Sequence, residues 1–479
     1  MKPQYHVIIV GSGFAGLSAA AVLAGKGLDI LIIDESGRPG GQLLRKTRLK
    51  PSFFPKLEPD LMKSKGFDLI QTINKMPGID CLFKAQVLGI FKDRRLLVHI
   101  ENDKISREKD LEKVLEVRAE YLILATGARE RYLPFKGWTL PGVMSLGSAQ
   151  ILMKAYGVLP AHNTLIAGTS PLMMVLASEI LGNRGKVTAL LDENPMIKKL
   201  TFLPLIRHHW PKLMEGGFYT ARMILNRVPM LQRYRMIQAR GKNGFESAIM
   251  AKTSPEGDVI PGTETEFFAE ALTVGYGFVP NIELPVQAGC NLEYSENKGG
   301  WVVRVDETLE SSSPYVFAVG EITGIAGAKK SFIQGKLAAM SILEKMSKIN
   351  RANRKKRFQE EIQRLISLDR QQKEYASFLN HLCQVPNSAY AAIPDETMIC
   401  RCEEITMGTI KKNIQRGFDT VNSLKKATRC GMGRCQGRIC GPVIFDIITA
   451  LTQKSPESIG CSLSRAPVKN VNIKAFLNP

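Results

Sequence analysis

The run His6-Val-Ile-Ile-Val10 leads directly into Gly11-Ser-Gly13-Phe14-Ala15-Gly16 and then into Leu17-Ser-Ala-Ala-Ala-Val-Leu-Ala24. A β-branched apolar run before glycines reads as a buried strand, and the alanine- and leucine-rich run after them reads as a helix. Strand, tight turn and helix give each glycine a task. Gly11 permits the turn, Gly13 lets the backbone approach a pyrophosphate, and Gly16 lets helix pack on strand, with the helix N-terminus facing the phosphates. A second apolar strand, Ile30 to Ile33, ends in Asp34-Glu35, where an acid can reach a ribose hydroxyl. Asp34 is the first candidate for that contact and Glu35 the second. A doubly wound α/β nucleotide-binding fold accounts for all of these features in register.

The chain has 479 residues and 44% hydrophobic content, enough for several domains with large cores. No apolar run reaches the ~18 residues of a spanning helix, and the N-terminus, without a basic leader or cleavage site, predicts no secretory signal and a cytoplasmic location. The net charge is +20, and between Lys198 and Lys242 ten Lys or Arg accompany one acid, Glu215. Arg351-Ala-Asn-Arg-Lys-Lys-Arg357 adds five more cations. Such a balance suits an anionic membrane surface or an acidic partner, or simply a solvated face. Nucleic acid is excluded as a partner, because no recognition helix, zinc-finger spacing or ribonucleoprotein motif accompanies the charge.

Nine cysteines are present, five of them between Cys400 and Cys440. That distribution speaks for a reducing compartment and a metal site rather than a disulfide scaffold. Cys400-Arg-Cys402 and Cys435-Gln-Gly-Arg-Ile-Cys440 place thiolates on two turns, the second glycine-rich, and no histidine is nearby. Soft thiolates with glycine amides around them suit an iron-sulfur cluster, with closed structural zinc as the competing reading. Cys430 is an extra thiol that could substitute as a ligand.

Further segments carry a family resemblance. Gly40-Gly41-Gln42, Tyr121-Leu-Ile-Leu-Ala-Thr126-Gly127-Ala128 and Tyr315-Val-Phe-Ala-Val-Gly320-Glu321 resemble the flavoproteins with two dinucleotide-binding domains, the group that includes thioredoxin reductase and the opine oxidases. That resemblance implies FAD, with Gly41 and Gln42 near the ribityl chain and ring, Thr126 and Gly127 at the domain crossing, and Gly320 and Glu321 closing the site. Glu321 stands where the family usually has aspartate. The Cys400 to Cys440 module is similar to bacterioferritin-associated ferredoxin domains, which bind one 2Fe-2S cluster but end in C-x2-C. Arg129 to Val143, Val274 to Asn281 and the Cys435 segment resemble the large subunits of opine oxidase and hydrogen cyanide synthase, where C-x4-C is usual.

A second strand-turn-helix begins at Asn163 and reads Gly168-Thr-Ser170-Pro-Leu-Met173, with Ser170 and Met173 at the second and third glycine positions. Side chains there crowd the pyrophosphate and push the helix off the strand, which makes NAD(P) doubtful. No cysteine lies between Cys81 and Cys290, so the C-x-x-C of a disulfide reductase is missing from this half. His208-His209 reads as surface or structural, and no catalytic residue is legible, as expected where a flavin does the chemistry.

The expected architecture is α/β: two Rossmann-like FAD/NAD(P)-binding domains followed by a small, mostly helical iron-sulfur domain. Residues 1–130 and 271–345 would form the FAD domain, 131–270 the NAD(P)-like domain with the basic insertion 198–242, 346–395 a helical linker and 396–479 the 2Fe-2S domain. The function implied by the resemblance is electron transfer between FAD and a 2Fe-2S centre during oxidation of an amino acid or secondary amine (opine, proline derivative or glycine), with a D-amino-acid-oxidase-like flavoprotein as the partner subunit. The alternative is a stand-alone NAD(P)H-dependent ferredoxin-type reductase.

Overall fold

The computed structural model describes residues 1–45, 58–101, 112–194, 210–346 and 352–477. His208, His209 and the first part of the basic insertion lie outside them.

The apolar strand read from sequence is Gln4–Val10, the inner strand of a seven-stranded sheet. It pairs in parallel with Ile30–Ile33 on one side and Lys113–Leu124 on the other, so Ile9 lies between Ile32 and Ile123. Ile8 and Ile9 are fully buried, as strands covered on both faces must be. The helix Phe14–Leu23 covers one face and packs against Ala328–Lys345. That approach depends on Gly335, since a Cβ there would sit 2.0 Å from the Ala15 carbonyl oxygen. The strand Val316–Ala318 returns to pair in parallel with Lys113–Leu124, which makes the first domain discontinuous.

A second, wholly parallel sheet contains Val143–Ser145, Asn163–Gly168, Lys186–Asp192, Met230–Gln232 and Ala271–Gly275. Ala271–Gly275 therefore belongs to this sheet, and the chain recrosses after Gly275 rather than at the expected 270/271 division. The two crossings, Ala128–Glu130 and Phe278–Pro280, pair antiparallel as a narrow bridge between the domains.

The helix Ala352–Leu382 packs on Ala328–Lys345. Gln334 Nε2 donates to Asp369 Oδ1 at 2.9 Å, and Asp369 also pairs with Lys373 at 2.6 Å. A buried carboxylate satisfied from both helices ties the linker to the flavin domain. Beyond it, a compact module contains Met398–Cys400, Met407–Gln415, Val421–Thr428 and Cys440–Thr452. Its core joins Ile399, Ile410, Leu424 and Ile444 to Leu133 and Tyr276 of the preceding domains.

Candidate functional site: a flavin fold joined to a thiol cluster

Gly11 takes φ +108°, and a Cβ on Gly16 would lie 1.9 Å from the Gly11 carbonyl oxygen, so the turn and the helix contact both require glycine. Gly13 differs, because a Cβ there would meet nothing within 4 Å. Its open face is the approach a pyrophosphate uses. No side chain caps the helix Phe14–Leu23, and the Phe14 and Ala15 N–H groups at its head make no hydrogen bond among the described residues. Free amides beside an open cradle fit a dinucleotide.

Asp34 is committed to the same loop. Its Oδ2 accepts from Ser12 N at 2.6 Å and Ser12 Oγ at 2.7 Å, and Oδ1 accepts from Ser36 N at 2.8 Å. Glu35 remains largely exposed and is ion-paired with Lys469, a residue that sequence reasoning missed because it comes from the far end of the chain. Gly40 N donates to Ser12 O at 2.9 Å, and Gly41 packs on Gly13, bringing Gly40-Gly41-Gln42 over the loop. Thr126 and Gly127 are locked to Asn281: Thr126 Oγ1 donates to Asn281 O, and Asn281 Nδ2 to Thr126 O, both at 2.8 Å.

Glu321 is engaged within its own turn. Its oxygens accept from Ala326 N at 3.0 Å and Gly327 N at 2.7 Å, capping the helix Ala328–Lys345, whose own N-cap glycine offers no side chain. Burial pushes its carboxyl up. Lys330, fully buried, holds the adjoining turn by donating to Gly320 O, Thr323 Oγ1 and Gly324 O, and burial lowers its ammonium to about 8.

The second glycine loop is spent. Thr169 and Ser170 N–H both donate to Gly275 O, Leu172 N to Ser170 Oγ and Met173 N to Ser170 O, while Pro171 has no N–H to offer. The amides that would receive a pyrophosphate are thus already bonded within the protein. The end of the linker helix then covers the loop, with Thr169 Oγ1 donating to Cys383 O at 3.1 Å and Asn194 Nδ2 to Leu382 O. The Ser170 and Met173 departures from glycine were visible in the sequence; the cover over the loop had no local signal.

In the C-terminal module the Sγ atoms of Cys400, Cys430 and Cys440 lie within 4.8 Å of one another. Cys402 and Cys435 form a neighbouring pair, joined thiol to thiol and through the Cys435 N–H. Of the four cysteines read from sequence, Cys400 and Cys440 share this group with the fully buried Cys430, whereas Cys402 and Cys435 stand outside it. Hydrogen bonds from the Cys430 and Cys440 thiols, with the Gly431 and Glu403 amides, push the Cys400 thiol well below its ordinary value. Glycine is required beside Cys402, since a Cβ on Gly433 would lie 2.3 Å from Cys402 Cβ. Five free thiols, preorganised amides and no disulfide fit a cluster with thiolate ligands.

The domain crossing and the cluster module touch directly. Three residues past Thr126, Arg129 donates from Nε to Arg438 O at 2.8 Å, directly on the Cys435–Cys440 turn. Arg131 pairs with Asp446 at 2.6 Å on the helix that Cys440 opens. A cavity of about 370 Å³ lies at this seam, lined by Arg129, Trp301, Lys425, Gln436 and Phe445 among others.

Comparison with known proteins agrees with this division. Residues 5–342 match the pyridine nucleotide-disulphide oxidoreductase family and residues 398–450 the BFD-like [2Fe-2S] binding domain. The chain is 30% identical to an opine oxidase subunit from Rhizobium meliloti, over 99% of this chain and 87% of that one. It is also 30% identical to the HcnB subunit of hydrogen cyanide synthase from Pseudomonas aeruginosa, over 98% of each. Among solved structures, L-proline dehydrogenase from P. horikoshii superposes with a TM-score of 0.67 at 19% identity, over 98% of this chain and 78% of that one. The chain belongs to the pyridine nucleotide-disulphide oxidoreductase family, as an FAD oxidoreductase extended by a C-terminal 2Fe-2S domain.

Proposed function

We propose that this chain is the electron-transferring subunit of an amino-acid or secondary-amine dehydrogenase. The observation that carries the reading is the contrast between its two nucleotide loops, one with free amides and an open glycine, the other bonded up and covered. When bound, FAD supplies two-electron acceptance and one-electron release, and the cluster supplies one-electron transfer. Gly11, Gly13, Phe14, Ala15 and Gly16 would hold the pyrophosphate. Asp34 would position the loop through Ser12, and Glu35 would face the adenosine ribose. Gly41, Gln42, Thr126, Gly127 and Gly320 would line the remainder, with Glu321 fixing the helix N-terminus beside it. Cys400, Cys402, Cys435 and Cys440 would ligate the cluster, leaving Cys430 as a buried fifth thiol.

The substrate class follows the relatives, which act on opines, form hydrogen cyanide or oxidise sarcosine. The common chemistry is oxidation at carbon alpha to nitrogen, and a D-amino-acid-oxidase-like partner would supply the site for it. Rapid mixing with NADH or NADPH should leave the flavin oxidised, whereas an amino acid in the presence of the partner should bleach it. Fast bleaching by a pyridine nucleotide alone would restore the stand-alone reductase reading.

Contact with an anionic membrane is favoured by the basic stretch 198–242. Its helix Trp210–Leu225 exposes Met214, Ile224 and Leu225, apolar residues beside cations. No helix among the described residues is long and apolar enough to cross a membrane. The protein should co-float with phosphatidylserine vesicles at low salt and dissociate at high salt; recovery only in the soluble fraction at low salt would remove the membrane from this account.

A further inference from the structure

Residues after Cys461 lie beyond the matched 2Fe-2S domain, yet they run back across the flavin domain. The tail starts on the cluster module, where Asn422 Nδ2 donates to Cys461 O at 2.9 Å and Leu463 N donates to Asn422 Oδ1 at 3.1 Å. Ser464 Oγ next accepts from Gln287 Nε2 at 3.2 Å. Val468 N then donates to Leu88 O at 2.8 Å, and the Val468 side chain is buried in the core that contains Val10, Leu31 and Ile33. One residue later Lys469 meets Glu35.

This places a cation where the nucleotide site otherwise carries two adjacent acids. Asp34 is bound to the glycine loop, and Glu35 follows it immediately. FAD brings a dianionic pyrophosphate to that loop, so two uncompensated carboxylates would repel it. Burial lowers the Lys469 ammonium and the charge of Asp34 opposes that effect, so the cation paired with Glu35 also feels the neighbouring acid.

We propose that the C-terminal tail is part of the flavin site, and that Lys469 is a positioning residue that fixes and neutralises Glu35 at the adenosine end of FAD. The proposal rests on the FAD reading. It makes cofactor retention depend on a segment anchored at its start on the cluster module and at its end on the first sheet, so one strap spans both redox domains.

The test uses the full-length protein with its cluster in place, stripped of FAD and titrated with it while flavin fluorescence is followed. Lys469→Met should raise the Kd on the order of fivefold and Lys469→Glu should raise it further, whereas Lys469→Arg should stay near wild type. The Lys469→Met defect should shrink as salt is added, which loss of mere packing would not do. Iron content and Tm equal to wild type would establish that the variants fold. Equal FAD affinity for Lys469→Met and wild type overturns the proposal alone. Wild-type protein that takes up no FAD overturns the cofactor reading and the proposal with it.

Discussion

Serine at Cys400 should abolish the visible absorbance of the cluster and its reduced-state electron paramagnetic resonance signal while leaving bound FAD at wild-type occupancy. Cys400 is the sulfur at which the other groups converge, receiving hydrogen bonds from Cys430, Cys440 and two backbone amides. It lies 1% exposed at the end of Met398–Cys400, so serine would bury a harder oxygen ligand in a sulfur-shaped site. Iron per chain, measured after anaerobic purification, should fall from two toward zero. Cys430→Ala separates the ligands from the fifth thiol. It should keep its iron but lose a thiol donor to Cys400, moving the cluster to a more negative potential. Loss of iron in Cys430→Ala with retention in Cys435→Ala would reassign the ligand set.

What could be read from the sequence was what local geometry dictates. Gly11, Gly13 and Gly16 announce a turn because their tasks are steric and lie within one strand-turn-helix unit. Ser170 and Met173 announce a failed turn for the same reason. The thiol spacing was equally legible, but spacing cannot rank five cysteines, and Cys430 enters through the left-handed Arg429 and Gly431 that turn the chain back after Val421–Thr428. Contacts made across the chain had no such signal. The assignment of Ala271–Gly275 to the second sheet, the cover that Leu382 and Cys383 place over the second loop, and the meeting of Lys469 with Glu35 all join residues separated by more than a hundred positions. Glu321 is an intermediate case: the sequence placed a carboxylate at the flavin site, whereas its two bonds to Ala326 and Gly327 arise from the way the helix begins.

Methionine at Arg131 should uncouple the two redox domains without emptying either. Arg131 directly follows the crossing strand Ala128–Glu130, and its partner Asp446 lies on the helix that opens at Cys440. The pair is 2.6 Å apart with side chains 16% and 10% exposed, and burial pushes the Asp446 carboxyl up against the pull of Arg131. Removing the cation leaves that carboxylate buried and unpaired, a loss of about 3–5 kcal/mol for a buried pair broken from one side. Exchanging both partners for apolar residues of similar volume should cost far less, because no charge is then stranded. The three contacts Arg129 makes, with Glu283 at 2.8 Å, Asn281 Oδ1 at 2.7 Å and Arg438 O at 2.8 Å, would remain to hold the cluster turn loosely. Flavin and iron contents of Arg131→Met should therefore match wild type, while limited proteolysis should cut between the flavin domain and the cluster module, and reduction of the cluster after photoreduction of the flavin should slow. Asp446→Asn tests the same seam from the other side, leaving an unpaired guanidinium with a neutral amide to bond. It should slow electron transfer less than Arg131→Met, since the amide oxygen still accepts from Arg131.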